Sequence, residues 1–297
     1  MKITPIFPEH LEDLIDFLAK VNARPEQHIA FLGETQEDIR HSLMSFEPPV
    51  EQAFRLAQDE NGQVLAAFGT EYDTVLKRTW LFGPFSAQTN LEAISDALYS
   101  ELERNLPEEI ELQELFCDLR NQECQKFAAR HGFELYKDTA ILSLARQQWH
   151  GVDRPTRTDR AEIQPLSPQH FPAFAALHEL CFPNTYYNPQ QMCDLRDDVH
   201  HLLLAVRNDE VPGYIFFKGE PDINEGYIEF LGVAPEWRGK GIGRGLLQAA
   251  LETIFAHPAI PRTHLTVNAD NLAARKMYDS FGFTCERVAR SFRKSKT

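Results

Sequence analysis

The amino-acid sequence predicts an α/β fold, an α+β sandwich, that occurs twice in tandem. The chain has 297 residues, 43% of them hydrophobic, which is enough for two domains with separate cores. The stretch "ITPIFPEH" from Ile3 resembles "IQPLSPQH" from Ile163, 160 residues later, and "NQECQKFAARHGF" from Asn121 resembles "NLAARKMYDSFGF" from Asn271, 150 residues later. Two similarities in the same order indicate duplication of one fold.

The domain boundaries follow from the repeat and from one polar segment. The segment "RQQWHGVDRPTRTDR" has no apolar period and contains a proline, which is typical of a linker. We therefore predict a first domain at 1–145, a linker at 146–160 and a second domain at 161–297.

Strand and helix signals follow one another clearly in the second half. The pattern predicts a strand at 161–166, a helix from Pro168, strands at 201–208, 213–219 and 227–234, a helix at 243–256, a strand at 263–268, a helix at 271–281 and a last strand from Phe283. This order predicts a mixed, mostly antiparallel sheet flanked by helices in each copy.

Composition narrows the functional classes. The formal net charge is −14 and the sequence pI is about 5.2, which argues against general binding of nucleic acid or of an anionic membrane. No apolar run reaches the roughly 18 residues of a membrane helix, and no secretory leader is evident, so we expect a soluble, cytoplasmic protein. The five cysteines suggest reduced thiols, and the spacing of Cys117 and Cys124 does not fit a zinc half-site. No metal is expected.

The stretch "RGKGIGRGLL" from Arg238 to Leu247 concentrates positive charge and glycine in an acidic chain. It begins with three cations and three glycines: Arg238, Lys240, Arg244, Gly239, Gly241 and Gly243. The glycines lie between a predicted strand and a predicted helix, where the lack of a Cβ leaves backbone N–H groups open to an anion. The stretch therefore predicts an anion-binding turn, and its alternative is a tight turn with solvated cations.

The wider pattern L-G-V-x-P-x-x-R-G-x-G-I-G, from Leu231 to Gly243, resembles the acetyl-CoA signature of the GCN5-related N-acetyltransferase superfamily. A dinucleotide-binding turn is disfavoured, because Leu246 stands where the last glycine of G-x-G-x-x-G belongs. A second family signature, N-x-x-A-x-x-x-Y followed by G-F, is met by Asn271, Ala274, Tyr278, Gly282 and Phe283. Both signatures lie in the second half of the chain.

The resemblance implies that acetyl-CoA is the co-substrate and lies in a cleft where two neighbouring strands separate. Backbone groups of Leu231 and Val233 would bind the acetyl-pantetheine arm, amides between Arg238 and Arg244 the pyrophosphate, and Asn271 would face the pantetheine. The implied donor-binding residues are Leu231, Gly232, Val233, Arg238, Gly239, Lys240, Gly241, Ile242, Gly243, Arg244 and Asn271. The implied activity is N-acetylation of a primary amine, and the alternative is a non-catalytic acyl-CoA sensor or scaffold.

The first copy departs from the family pattern. At the 150-residue shift, Gln88, Leu91, Ala93 and Ala128 stand in place of Arg238, Gly241, Gly243 and Tyr278. Without the glycines and cations it lacks an anion cradle. We therefore predict that the first domain is degenerate and has a structural or acceptor-shaping role, with Gly132 and Phe133 as a remnant of the fold.

Two residues are candidates for the proton transfers that acetyl transfer requires. Tyr278 fits a general acid for the leaving thiolate, and the family resemblance points to the same residue; its alternative is a core tyrosine. Glu229 is the candidate general base, because strand alternation would place it on the same face as Leu231 and Val233. Its alternative is a solvated carboxylate.

The acceptor is the least defined part of the prediction. The segment "CFPNTYYNPQQM", from Cys181 to Met192, joins two predicted helices, and Tyr186 and Tyr187 either line the acceptor site or serve packing. The acidic balance favours a cationic small molecule or peptide over a nucleic acid. The tandem arrangement also admits acetylation of an amino-sugar thiol precursor, although no residue selects that acceptor.

Overall fold

The computed structural model of the chain describes residues 2–87, 92–149, 161–183 and 185–296. The chain forms two compact units. The first consists of Met1–Thr139 and Val288–Thr297, and the second consists of Ala140–Arg287. Among the described residues, no helix combines the length and apolar character needed to cross a membrane.

The described elements of the first half alternate as a helix-flanked sheet. They are β1 (Lys2–Pro5), α1 (Leu11–Asn22), α2 (Gln36–Met44), α3 (Val50–Ala53), β2 (Phe54–Gln58), β3 (Val64–Asp73), β4 (Arg78–Ser86), α4 (Glu92–Arg104), β5 (Leu112–Asp118), α5 (Gln122–Arg130) and β6 (Glu134–Ala145).

The second half repeats this order apart from α3. Its described elements are β7 (Glu162–Pro165), α6 (Phe171–Cys181), α7 (Pro189–Asp194), β8 (His200–Arg207), β9 (Glu210–Glu220), β10 (Glu225–Val233), α8 (Ile242–Ala256), β11 (Arg262–Asn268), α9 (Leu272–Asp279) and β12 (Thr284–Ser295). The starts of β5 and β11, and of β6 and β12, are 150 residues apart, and those of β1 and β7 are 160 apart.

Each unit contains a mixed sheet. In the first unit the strand order is β1-β2-β3-β4-β5-β12, and β4 and β5 are parallel. In the second unit the order is β6-β11-β10-β9-β8-β7, and β10 and β11 are parallel. The strands β7, β8, β9 and β10 pair antiparallel with one another. The predicted fold class, a mixed and mostly antiparallel sheet flanked by helices, is confirmed.

The last strand of each half is divided between the units. Residues 288–295 of β12 belong to the first unit, where β12 pairs antiparallel with β5 from Ala289↔Asp118 to Ser295↔Leu112. Residues 140–145 of β6 belong to the second unit. The units therefore differ from the two consecutive domains that the sequence predicts. Alternation along a strand shows that it has a buried face, but it does not show which sheet the strand joins.

Only the start of the predicted linker falls on described residues. Arg146–Gln148 forms a 3₁₀ turn, and the Arg146 guanidinium donates hydrogen bonds to the backbone carbonyls of Phe255, His257 and Ile260 beyond the end of α8. A cation at this position stabilises the unpaired carbonyls of a helix C-terminus. The remaining predicted linker residues, 150–160, lie outside the described part of the chain.

Helices cover both faces of the second unit's sheet. On one face α8 buries Leu246, Leu247 and Ala250 against the strands. On the other face α6 buries Phe174 against Tyr214 of β9, with ring centroids 5.0 Å apart. Two apolar layers with one sheet between them hold β10 in place, and the candidate site lies along this strand.

Candidate functional site

The parallel strands β10 and β11 separate along their length. Their residue pairing runs from Glu225↔Arg262 to Ile228↔Leu265, although β10 continues to Val233 and β11 to Asn268. The carboxyl-terminal halves of the two strands therefore leave a gap. This is the kind of cleft that the sequence resemblance implies for the donor.

A β-bulge at Glu229 begins this gap. In the pairing with β9, Ile228 lies opposite Phe217 and Phe230 opposite Phe216, so Glu229 is the extra residue. Before the bulge, a Cβ on Gly226 would meet Ile254 of α8 at 2.6 Å. After the bulge the facing of even-numbered residues is reversed, because Phe230 packs in the α6 layer and not in the α8 layer.

The bulge corrects one prediction about Glu229. Strand alternation predicted that Glu229 shares a face with Leu231 and Val233, and that Glu225 and Tyr227 do so too. In the structure Leu231 and Val233 pack against the α8 layer, whereas Glu229 reaches the segment between α6 and α7. One inserted residue changes the alternation, and no side-chain pattern marks it.

Hydrogen bonding leaves the backbone of two predicted donor-binding residues directed toward the gap. The N–H of Ala234 donates to the carbonyl of Pro212 on the β9 side, at 3.0 Å. Because backbone groups alternate in direction along an antiparallel pair, those of Gly232 also face β9, and those of Leu231 and Val233 face the opposite edge. A ligand in the gap would meet these groups as it would meet a neighbouring strand.

The glycine-rich turn follows β10 and leads into α8. Gly239 and Gly241 have φ of 74° and 85°, and Gly241 is the N-cap of the 15-residue helix, which no side chain caps. A Cβ on either glycine would meet nothing within 4 Å, so their surroundings are open. Backbone N–H groups at an uncapped helix start form an anion site with the positive end of the helix dipole.

Two members of the predicted cradle have additional local roles. The N–H of Arg238 donates to the carbonyl of Pro235 at 3.2 Å, so the amides available to an anion begin after Arg238. Gly243 lies inside the first turn of α8, where an added Cβ would be 3.4 Å from Val233 Cγ2 and 3.5 Å from Met277 Sδ. Glycine at this position lets the helix start lie close to β10 and α9.

The three cations of the turn are free of carboxylates among the described residues. The Nε of Arg238 donates to the carbonyl of Val233 at 3.1 Å, and the Lys240 ammonium lies 4.6 Å from the centroid of the Trp237 ring. Arg244 donates to the hydroxyl of Ser280. Their positive charge is therefore available to an anion.

Asn271 has a role in the fold that both halves share. Its side-chain oxygen accepts a hydrogen bond from the N–H of Ala274 at 3.1 Å, and it is the N-cap of α9. Asn121 caps α5 in the same way, through the N–H of Cys124 at 3.0 Å. The asparagine of the second signature is thus explained locally by capping, and its predicted contact with pantetheine is a proposal.

Tyr278 lies in the α8 layer of the second unit. Its side chain is 6% exposed and packs edge-on against Phe283, with ring centroids 5.7 Å apart. Burial raises the pKa of its phenol, and no described residue is hydrogen-bonded to its hydroxyl. The neighbouring Met277 packs against Gly243, so the helix that carries Tyr278 lies beside the glycine-rich turn.

Glu229 and Tyr186 meet in the second unit. The Tyr186 hydroxyl donates a hydrogen bond to Glu229 Oε2, and the Tyr186 ring packs on Phe230 at 5.1 Å. Burial raises the pKa of the Glu229 carboxyl, while this hydrogen bond and the positive charge of Lys218 act in the lowering direction. Tyr187 lies beside Tyr186 at 4.9 Å between ring centroids. Proximity of Tyr186 to Glu229 was not predicted, although the paired tyrosines were recognised.

The matching gap in the first unit is filled by the chain itself. The strands β4 and β5 pair from Arg78↔Leu112 to Leu81↔Leu115. Beyond that point Ile29 forms an antiparallel bridge with Cys117. The N–H of Ala30 donates to Phe116, and the N–H of Asp118 donates to His28, at 3.1 and 3.0 Å.

This inserted segment, residues 27–30, is also attached to the other side of the gap. The side-chain amide of Gln27 donates to the carbonyl of Ser86, the last residue of β4, at 2.9 Å. Asn22 holds both backbone groups of Ile29, accepting from its N–H at 2.7 Å and donating to its carbonyl at 3.1 Å. Ile29 is fully buried. The segment therefore acts as an internal strand between β4 and β5.

The first unit provides limited evidence on its own anion turn. Gln88 and Leu91, which stand in place of Arg238 and Gly241, lie outside the described residues. Ala93 lies in the first turn of α4, and Ala128 is buried in α5. Gly132 has a φ of 75°, as Gly282 has one of 94°, and each precedes a buried phenylalanine.

Comparisons with known proteins now place the chain in a family. The Acetyltransferase (GNAT) family model matches residues 168–283. An acetyltransferase of Pectobacterium atrosepticum is 30% identical over 126 residues, which cover 41% of this chain and 86% of that protein. The chain belongs to the acetyltransferase (GNAT) family.

Other relatives carry a more specific name. A mycothiol acetyltransferase of Renibacterium salmoninarum is 28% identical over 178 residues, covering 54% of this chain and 51% of that protein. One of Streptomyces griseus is 34% identical over 96 residues, covering 32% and 31%. The matches thus span about half or less of these GNAT relatives.

Solved structures support the fold along the whole chain. A GCN5-related N-acetyltransferase from Sphaerobacter thermophilus has a TM-score of 0.76 at 13% identity, covering 99% of this chain and 95% of that one. A tandem GNAT protein from the clavulanic acid biosynthesis pathway has a TM-score of 0.66 at 14% identity, covering 99% and 98%. At these identities the similarity shows a tandem GNAT fold.

Proposed function

We propose that the chain is an acetyl-CoA-dependent N-acetyltransferase whose donor site is the gap between β10 and β11. The family uses acetyl-CoA. The observation that carries the proposal is the open glycine-rich turn at the end of this gap, where Gly239 and Gly241 adopt left-handed conformations at an uncapped helix start. The pantetheine arm would bind the free backbone of Leu231 and Val233, and the pyrophosphate would bind the amides after Arg238.

The reaction needs a proton acceptor at the amine. An alkylamine with a pKa near 10.4 is mostly protonated at neutral pH, and freeing it costs about 4–5 kcal/mol. Glu229 is suited to accept the proton, because a carboxyl whose pKa is raised by burial approaches the operating pH. The neutral amine then attacks the thioester carbonyl carbon, forming the C–N bond of a tetrahedral adduct.

The reaction also needs a proton donor at sulfur. When the adduct collapses, its C–S bond breaks and the electron pair leaves on sulfur. Tyr278 is buried, so its phenol holds its proton and donates it as negative charge develops on sulfur. The products are the N-acetylated amine and the free thiol of CoA.

The acceptor class is a primary amine of a small molecule or peptide. Tyr186 and Tyr187 lie beside Glu229, and an aromatic surface next to a carboxylate suits a cationic amine. The GNAT relatives named mycothiol acetyltransferases make amino-sugar thiols a reasonable set of acceptors to test first.

The first unit is proposed to have a structural role and to bind no coenzyme. The residues 28–30 pair with β5 in the gap, at the position that the donor would use in the second unit. A backbone segment held by several hydrogen bonds leaves no free strand edge for a pantetheine arm.

A thiol-release screen tests the proposed activity. Purified chain is incubated with acetyl-CoA and with amines, aminoglycosides, amino-sugar thiols, amino acids or peptides. Free CoA and the acetylated product are measured for the wild type and for Tyr278→Phe. Release that depends on an acceptor, and that falls in the variant while acetyl-CoA binding is retained, supports the enzyme. Binding without turnover on any acceptor would instead indicate an acyl-CoA sensor.

A further inference from the structure

His178 connects three elements around the Glu229 site. It lies in α6 and is 1% exposed. Its Nε2 is 2.9 Å from the backbone carbonyl of Tyr187, and its Nδ1 is 2.6 Å from the hydroxyl of Tyr214 in β9. The imidazole thus joins a helix, a strand and the residues that follow Asn184.

The two partners fix the tautomer. A carbonyl oxygen accepts hydrogen bonds and does not donate them, so Nε2 of His178 carries the hydrogen toward Tyr187. In the neutral ring Nδ1 is then an acceptor, and the Tyr214 hydroxyl donates to it. Both polar ends of the buried imidazole are satisfied in its neutral form.

The surroundings favour this neutral form. Aromatic rings surround the imidazole, with centroids 6.3 Å away for Phe174, 5.9 Å for Phe182 and 5.2 Å for Phe230. Burial lowers the pKa of His178, while Glu179 on the same helix acts in the raising direction. The ring therefore acts as a fixed hydrogen-bonding bracket.

The bracket lies one residue from the contact with the candidate base. Tyr187 accepts from His178, and the adjacent Tyr186 donates to Glu229. We propose that His178 is a positioning residue, which holds the backbone at Tyr187 and thereby keeps the Tyr186 hydroxyl on the Glu229 carboxylate. This inference deepens the proposed function and depends on it for the role of Glu229 as a base.

Other groups also act on Glu229 and must be kept constant. Lys218 and Glu220 of β9 form an ion pair at 2.7 Å, and their charges, with that of His200 in β8, act on the Glu229 carboxyl. Tyr227 and Tyr187 complete the surrounding titratable groups. None of these is altered by a change at His178, so an effect transmitted through Tyr186 is distinguishable from a change in local charge.

The test is a direct titration of Glu229 in the full chain by ¹³C NMR of labelled glutamate, with the resonance assigned by Glu229→Gln. His178→Phe keeps a ring of similar volume but removes both hydrogen bonds. We expect it to raise the pKa of Glu229 as Tyr186→Phe does, because each variant removes the hydrogen bond that stabilises the carboxylate. The double variant should show the shift of one single variant, since both act through the same contact.

His178→Gln is the matched rescue. Its amide oxygen accepts from Tyr214 and its amide nitrogen donates to Tyr187, so the titration should return to that of the wild type. If His178→Phe does not fold, adding Tyr214→Phe removes the unpaired hydroxyl that the first change leaves in the core.

Two outcomes would overturn the proposal: an unchanged titration in His178→Phe or His178→Phe/Tyr214→Phe, or shifts from His178→Phe and Tyr186→Phe that add in the double variant. The titration requires no acceptor substrate. A shared shift in a chain that acetylates no amine would leave His178 as a positioning residue and would remove the proposed function instead.

Discussion

The backbone carbonyls of Ser86 and Val233 end two nine-residue copies of the same strand and have different partners. Ser86 accepts from the side chain of Gln27, which belongs to the segment that fills the gap of the first unit. Val233 accepts from Arg238 of the glycine-rich turn. One copy of the strand edge is thus occupied by the chain itself, and the other is left beside an anion-binding turn.

The first prediction is a stoichiometry of one coenzyme per chain. Isothermal titration calorimetry with CoA should give one site, because residues 28–30 occupy the strand gap of the first unit. Replacing Gly241 should remove that binding completely. A stoichiometry of two, or a full site that survives a change at Gly241, would show that the first unit also binds coenzyme.

The second prediction concerns the conformation of Gly241. Gly241→Val places a β-branched side chain at a φ of 85° and in the open space above the turn, so we expect CoA affinity to fall by at least about 10-fold, or about 1.4 kcal/mol. Gly62→Val is the matched control, since Gly62 has a φ of 82° and equally open surroundings in the β2–β3 turn. Equal CoA affinity in both variants would place the pyrophosphate elsewhere.

The third prediction concerns Tyr278. With an accepted amine, Tyr278→Phe should lower kcat by about 100-fold while the Kd for acetyl-CoA stays nearly constant, because proton donation to sulfur matters during bond breaking. Phe283→Leu provides a control for packing, since Phe283 contacts the Tyr278 ring. An unchanged kcat and pH profile in Tyr278→Phe would remove the acid role.

The fourth prediction concerns the pH dependence of the reaction. Because burial raises the pKa of Glu229, kcat/KM should rise with pH through a pKa above the ordinary glutamate range. Glu229→Gln should lower kcat/KM by about 100-fold and abolish this dependence. Glu225→Gln on the same strand disrupts an ion pair with Arg262 and should retain the profile. A pH profile that persists in Glu229→Gln would assign the proton acceptor to another group.

The fifth prediction is a pH-dependent stability in the first unit. Burial raises the pKa of Glu71 from 4.5 to about 7, so the folded state binds more protons than the unfolded state between these values. Its contribution is complete below pH 4.5 and is lost as the pH rises through 7.

Glu71→Gln should therefore be more stable than the wild type at pH 8, by about 1–2 kcal/mol after allowance for solvent screening. Urea unfolding at pH 5 and pH 8 measures the difference, with the exposed Glu60→Gln as the control. A variant with the same pH dependence as the wild type would show that Glu71 is solvated.

The sequence predicts much of the fold because periodicity and turn residues are local signals. The predicted helix at 243–256 is Ile242–Ala256, and the predicted strand at 263–268 is Arg262–Asn268. The glycines at 239 and 241 were assigned left-handed freedom, which they use. These features depend on neighbouring residues and are therefore visible in one sequence.

Features that depend on distant residues were not predicted. The bulge at Glu229 adds one residue without changing the residue types around it, and the pairing of β12 with β5 joins strands far apart in sequence. The filled gap did leave a signal. The shift between the copies falls from 160 to 150, and the first α–α connection has thirteen residues, 23–35, whereas the second has seven, 182–188.

Amide hydrogen exchange with and without CoA tests the central claim most directly. The account predicts that CoA slows exchange in the peptides covering 239–245 and 231–234, and leaves those covering 28–30 and 92–104 unchanged. Protection of the first-unit peptides, with no change after β10, would contradict it.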